Sequence, residues 1–332
     1  MKGSSELFDR SNLALESLDR RQHDLDISVI KDIESTNLLS GSESRAISEI
    51  AKRIILAKKN GGATIVMMGA HVIRDGVQKY LADLMARGYI SCMAMNGACM
   101  IHDFEFALVG ATTESVAHYI KSGQFGFWKE TGILNDIINR AYYKDKHAGM
   151  GRAVGEAIAT SDFPHKGLSL LAAGIRLEVP ITVHVAIGQD IIHQHPNCDG
   201  AATGALSYND FLKFVSNVQN LQHGVVINFG SAVMAPEVFL KALSMARNVA
   251  RQQGKVIRDF TTLVCDLHKF YNDISRVPLK NDPFYYFRPW KTMLVRTVAE
   301  GGESFYIRGR HSVTIPSLWS AINKLEKRFE SG

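Results

Sequence analysis

The chain lacks the G-x-G-x-x-G fingerprint at every candidate strand-to-helix turn, so the usual dehydrogenase signature for a dinucleotide is absent. It also lacks any C-x-x-C pair. Its four cysteines, Cys92, Cys99, Cys198 and Cys265, lie apart, which argues against a disulfide framework and for reduced, mostly buried thiols. No apolar run is long enough to span a bilayer, and no basic start with an apolar stretch and cleavage site opens the chain. The expectation is a cytoplasmic protein with no membrane partner. Nor is there a basic stripe: the net charge is +5, but Lys and Arg alternate with acids, so no nucleic-acid partner is expected. No internal repeat of solenoid period occurs.

What is present fits a globular chain, since 46% hydrophobic and 21% charged residues suffice to bury a large core. Residues 1–40 are polar, with acids and bases alternating from Glu16 to Asp26. They are expected to form an N-terminal arm docked on the body or on another subunit. Residues 41–332 are expected to form a single α/β domain. Ser42 is placed to cap a helix from Glu43 to Lys59, with Ile47, Ile50, Ile54 and Leu56 helically spaced and Gly61-Gly62 ending it.

Beyond it the pattern changes to short continuous apolar runs, each followed by a helical stretch. ATIVMMG from Ala63 precedes a helix expected over Val72–Arg87, and Ile90–Met95 leads into Asn96-Gly97-Ala98 and another helix. A helical section over Asn135–Glu178 carries a stripe of Gly149, Gly151 and Gly155, which reads as close helix packing. Strands follow at Ile181–Ile187, Val225–Phe229 and Thr261–Asp266, with helices over Tyr208–Leu221 and after Pro236, then an irregular aromatic stretch over Phe284–Trp290. Strand alternating with helix predicts a doubly wound, mostly parallel Rossmann-like sheet.

In such a sheet ligands bind beyond the carboxyl ends of the strands. The candidate turns are Gly69-Ala70-His71, Asn96-Gly97-Ala98, Gly188-Gln189-Asp190, Gly230-Ser231-Ala232 and Asp266-Leu267-His268. Small residues beside polar ones there would let a ligand approach the backbone. The cofactor-binding candidates are accordingly Gly69, His71, Asp75, Asn96, Gly97, Asp103, Gly230, Ser231 and Asp266.

A separate concentration of His184, Asp190, His193, His195, Cys198 and Asp199 surrounds one strand end. In an extended segment His193 and His195 would point the same way, and His, Cys and Asp are ligands a divalent metal accepts. The spacing matches no standard zinc pattern, so a metal site, a hydrogen-bonded polar pocket and a plain loop all remain open. Gly200–Ala205 reads as a small-residue loop able to wrap a ligand edge.

The stretch from Gly62 to Leu108, together with ITVHVAIGQD, the segment from His223 to Val233, and SFYIRGRHSVTIPSLW, resembles the deoxyhypusine synthase family in pattern and order. The resemblance implies a sheet of that family's NAD-binding type, NAD as cofactor, an amine or polyamine substrate, and a homotetramer or at least a homodimer with shared sites. In that family an aminobutyl group passes from spermidine to a lysine of a translation factor through an imine on an active-site lysine, which must be a neutral nucleophile.

Gly69, Gly76, Gly97, Asp103 and Gly230 fall where the family also has Gly or Asp. The departures are His71 for an Asn, Arg74 and Asp75 for serines, Ser231-Ala232 for two glycines, and Pro236-Glu237 near a missing histidine. The family's Trp-Gly-Lys is replaced by Arg288-Pro289-Trp290-Lys291, and Arg296 lies closer to the family spacing than Lys291. Arginine cannot form an imine, because its guanidinium stays protonated. Lys291, Asp190 and His193 are therefore the catalytic candidates. The alternatives are a nucleotide- or small-ligand-binding homologue without catalysis, and a metal-assisted hydrolase using the His193–Asp199 loop.

Overall fold

A run such as Thr64–Met68, apolar on both faces, is stable as a strand only when helices cover both sides of the sheet. The computed structural model, which describes residues 7–33, 38–270 and 273–330, meets that condition. After the two-residue strand β1 (Leu25–Asp26) come α1 (Gly41–Asn60), β2 (Thr64–Met68), α2 (His71–Arg74), α3 (Gln78–Ala86), β3 (Cys92–Asn96), α4 (Gly97–Val109), β4 (Ala111–Thr112) and α5 (Val116–Tyr119). The chain continues through α6 (Ile133–Lys144), α7 (Met150–Thr160), α8 (Leu170–Arg176), β5 (Ile181–His184), α9 (Gly200–Val218), β6 (Val225–Phe229), α10 (Met234–Gln252), β7 (Thr261–Asp266), β8 (Glu303–Arg308) and α11 (His311–Glu330).

The main sheet has the order β5-β3-β2-β6-β7-β8, and every neighbouring pair is parallel. Counted along the chain within this sheet, the order is third, second, first, fourth, fifth, sixth, which is the dinucleotide-binding arrangement of a doubly wound α/β fold. Winding reverses between β2 and β6, where Met68 lies opposite Phe229. Side chains of β2 alternate between two cores as a strand requires: Val66 and Met68 join the layer of α1, α3 and α4, and Ile65 and Met67 join the layer of α10.

Several expected elements are corrected. The helix over Val72–Arg87 is broken into α2 and α3, because Gly76 adopts φ 71° and a Cβ there would lie 2.0 Å from the Val29 carbonyl oxygen. Ser40, not Ser42, occupies the N-cap of α1. The helical section over Asn135–Glu178 is three helices, with glycines where they meet neighbours: a Cβ at Gly151 would lie 1.9 Å from the Ile181 carbonyl oxygen, and one at Gly155 would lie 2.7 Å from that of Leu171. Gly200–Ala205 is no loop but the start of α9. The Asp199 carboxylate accepts from the Ala201 and Ala202 amides there, which satisfies helix-end donors.

Strand β5 is one of the two edges of this sheet, and an open edge exposes unpaired backbone groups. Here Asp210 covers it, accepting from the amides of Val183 and Gly151 at 2.7 and 2.8 Å. Burial pushes the Asp210 carboxyl up to about 7.

Residues 1–6 and 34–37 of the expected arm lie outside the described residues. The remainder packs on the body: β1 pairs antiparallel with β4, and Leu18 is buried. The buried Arg21 guanidinium meets Glu105 of α4 through both carboxylate oxygens, at 2.9 and 2.8 Å.

Candidate nucleotide-binding site

The crevice at the reversal of winding is built from backbone. Gly69 donates to the Phe229 carbonyl at 2.9 Å, Gly230 to that of Cys265 at 3.0 Å, and Gly309 to that of Asp266 at 3.0 Å, so the ends of neighbouring strands are tied together. A Cβ on Gly69 would stand 2.6 Å from the Gly230 carbonyl oxygen. Gly230 itself has φ 65°, and a Cβ there would reach within 2.4 Å of His311 Nε2. Only glycine satisfies both positions without displacing backbone or ring.

Around this crevice the structure gathers several of the expected residues. His71 is exposed at the start of α2, and Asp75 accepts from the Ser312 amide at 3.0 Å, tying α2 to α11. Asp266 accepts from Leu267. Asp75, Asp266 and His71 all act electrostatically on His311, whose pKa burial lowers. Ser231 is buried, clamped by Asn228 on both backbone groups, and its hydroxyl accepts from Ala235. Two buried nitrogens near these turns lack an acceptor or donor among the described residues: His311 Nδ1 and Arg74 Nε.

A second group forms where β3 ends. Asn96 caps α4, its side-chain oxygen accepting from Cys99 at 3.0 Å. Gly97 is faced by the Asp190 carboxylate, which a Cβ would approach to 2.0 Å. Burial raises the Asp190 carboxyl to about 6. His193 Nδ1 accepts from the amides of Gly188 and Asp190 at 3.2 and 3.3 Å, so in the neutral ring Nε2 carries the proton, and that atom is buried without a partner among the described residues.

Other expected residues serve differently. Asp103 is buried in α4 and holds the start of α8, accepting from the Ser169 hydroxyl and the amides of Leu170 and Leu171. Residues Ile191–Gln194 form a 3-10 turn rather than an extended segment, so the alternation expected of His193 and His195 does not apply. His195 is fully buried against the Gly126 carbonyl. Among the described residues no group of three His, Cys, Asp or Glu is arranged to hold a metal ion. Also among them, no helix is long and apolar enough to cross a membrane.

Lys291 is only 4% exposed, whereas Arg296 is exposed. Lys291 lies on a π-helical segment, Trp290–Arg296, with Nζ 3.9 Å from the Tyr285 ring centroid, a cation–π seat. Single π turns concentrate at functional sites.

His311 and His102 are not among the residues expected from the sequence. His102 Nδ1 lies 2.7 Å from Thr112 Oγ1, and the Thr112 hydroxyl donates to Glu105 at 2.6 Å. The next residue, Thr113, holds φ 68°, a conformation costing a β-branched residue about 1–3 kcal/mol. The sequence signal available was three polar residues, His102, Asp103 and Glu105, inside an otherwise apolar helix.

A cavity of about 820 Å³ opens beside the amino-terminal half of β5, lined by Arg152, Glu156, Asp210 and Lys213 among others. It lies off the carboxyl ends of the strands, where topology places ligands, and Asp210 there is occupied in covering the sheet edge.

Residues 48–146 match the family model described as arginine dihydrolase ArgZ-like, C-terminal, Rossmann fold. No curated protein matches the chain. Among solved structures, the ternary complex of AgrE with ornithine and NAD+ is similar at 13% identity and TM-score 0.50, over 88% of this chain and 34% of that one. A conserved putative LOR/SDH protein from Methanococcus maripaludis S2 gives 18% identity and TM-score 0.50, over 88% and 73% of the two chains. A putative deoxyhypusine synthase from Entamoeba histolytica gives 11% and 0.45, over 87% and 91%. The chain spans about a third of the ArgZ and AgrE chains it resembles. At these identities the shared property is the Rossmann-like fold.

Proposed function

We propose that this chain binds NAD across the carboxyl ends of β3, β2 and β6 and acts there on an amine-bearing substrate. The observation that carries the reading is the reversal of strand order between β2 and β6, with Gly69 and Gly230 in contact at that point. The residues suit a dinucleotide. Arg74 leaves a buried Nε–H without an acceptor among the described residues, one turn from Gly69, and a phosphate oxygen supplies that acceptor. Asp190 brings a carboxylate to Gly97 at the end of the second strand, where doubly wound domains present an acid to the ribose hydroxyls. Here the acid comes from the loop after the third strand.

Bound NAD supplies a hydride acceptor for the carbon beside an amine. The carboxylates of Asp75 and Asp266 balance a cationic substrate, and Lys291, buried on the Tyr285 face, is the amine available for covalent capture. Support for an amine substrate comes from AgrE, solved with ornithine and NAD+. Sharing of sites between subunits, as a homodimer or homotetramer, belongs to the same proposal.

Calorimetric titration with NAD+ and NADH tests the reading, followed by incubation with NAD+ and ornithine or spermidine while reduced nicotinamide is monitored. Binding is expected, and Arg74→Gln is expected to weaken it about tenfold or more, the loss of one charge-assisted hydrogen bond. Absence of binding at millimolar NAD+ and NADH overturns the proposal. Borohydride added to the spermidine mixture reports on Lys291: a mapped adduct establishes covalent capture, and an unmodified lysine removes it from the mechanism.

A further inference from the structure

We propose that His102 is the hydrogen-accepting group of this crevice, its Nε2 lone pair presented to an N–H or O–H of the bound ligand by a fixed chain running from Arg21 through Glu105 and Thr112. As to the ligand, the proposal rests on the functional reading above; as to the ring, it stands on the hydrogen bonds around it.

The direction of each hydrogen bond follows from the chemistry of the groups. Glu105 is fully buried and receives both arms of the Arg21 guanidinium, with the hydroxyls of Thr112 and Thr131 each at 2.6 Å. Arg21 holds its carboxyl below the ordinary range, against the opposing effect of burial, so Glu105 is an ionised, acceptor-only group. Thr112 has one hydroxyl proton, and it goes to Glu105. At 2.7 Å from His102 Nδ1, the Thr112 oxygen is then left with lone pairs, and the ring nitrogen must be the donor. A neutral imidazole with Nδ1–H has a bare Nε2.

That second nitrogen faces away from Thr112. Among the described residues the His102 ring makes its one hydrogen bond through Nδ1, and His102 is part-exposed. Helix α4 packs against α2 there, and the charged groups acting on the ring are Glu105 on its own helix, Arg21 of the N-terminal segment, and Arg74 and His71 of α2. His71 and Arg74 belong to the helix that begins at the Gly69 turn, so His102 borders the crevice from the β3 side. Burial lowers its pKa to about 4, which leaves the ring able to accept at neutral pH.

The ligand hydrogen comes either from a ribose hydroxyl of the nucleotide or from the substrate amine. Nitrogen NMR of the histidine-labelled full chain separates the possibilities. In the free protein the expected state of His102 is Nδ1–H with unprotonated Nε2, and Thr112→Val is expected to shift the ring toward the Nε2–H form that predominates in water. Finding Nε2–H in the unaltered protein overturns the proposal whether or not NAD binds. NAD+ alone and ornithine alone are then titrated. Movement of the Nε2 resonance with the first identifies the nucleotide hydroxyl, and movement with the second identifies the amine. His102→Gln is expected to weaken the responsible ligand about tenfold. If NAD+ binds by calorimetry, yet neither ligand moves Nε2 and His102→Gln leaves both affinities unchanged, His102 has no role in the site. If NAD+ does not bind, the functional reading fails, and the tautomer and the amine titration decide His102.

Discussion

Asp190 occupies a place that costs stability, and that cost can be measured. Its carboxylate is held against Gly97 with burial as the cause of its raised pKa, from 3.8 to about 6. At full burial that rise corresponds to about 3 kcal/mol; the side chain is part-exposed, so solvent screening brings it to about 1–2 kcal/mol. An acid whose folded pKa lies above its unfolded one binds its proton more tightly in the fold. The penalty is therefore absent below about 3.8, grows as pH rises, and is complete above about 6. Asp190→Asn keeps the shape and removes the charge. Urea denaturation is expected to find the variant more stable by about 1–2 kcal/mol near pH 8, with the advantage vanishing near pH 3.5. The same variant is expected to bind NAD+ about tenfold or more weakly, because a hydrogen bond to a charged acceptor contributes about 1.5–3 kcal/mol. A variant no more stable than the parent near pH 8 refutes the burial argument, and an unchanged NAD+ affinity refutes the assignment to the ribose.

Gly151→Ala places a methyl 1.9 Å from the Ile181 carbonyl oxygen, so α7 must leave β5 and the bond from the Gly151 amide to Asp210 stretches. Overpacking and that bond together predict a loss of about 3–5 kcal/mol in denaturant unfolding. Arg21→Met leaves Glu105 buried without its cation and is expected to cost about 3–5 kcal/mol, with part recovered by adding Glu105→Gln. Glu105 is held below its ordinary 4.5, so the parent keeps this contribution above that pH and loses it on acidification, which a pH series of melts of parent and double variant checks.

Local pattern was enough to identify the sheet. Val225–Phe229 and Thr261–Asp266 form as expected because continuous apolar runs bounded by turn residues have one stable use in a two-faced sheet. The turns carrying Gly69, Gly97 and Gly230 were legible for the same reason: a glycine after such a run marks the point where the chain leaves the strand. Helix interruptions were harder. The break at Gly76 depends on the Val29 carbonyl, almost fifty residues earlier, and no periodicity within Val72–Arg87 contains that information.

Pairings of polar groups were decided by tertiary structure alone. The Asp190 carboxylate meets Gly97 only because β5 lies beside β3, and His311 faces Gly230 only because the last helix returns over the strand ends. Arg21 and Glu105 are far apart in sequence, and each looks like an ordinary surface charge until the arm folds down on α4. Burial likewise distinguishes Lys291 from Arg296, two cations a few residues apart on one π-helical segment. Apolar periodicity is a property of neighbouring residues and survives in the sequence. The environment of a charge is set by whatever the rest of the chain brings to it, and that exists only after folding.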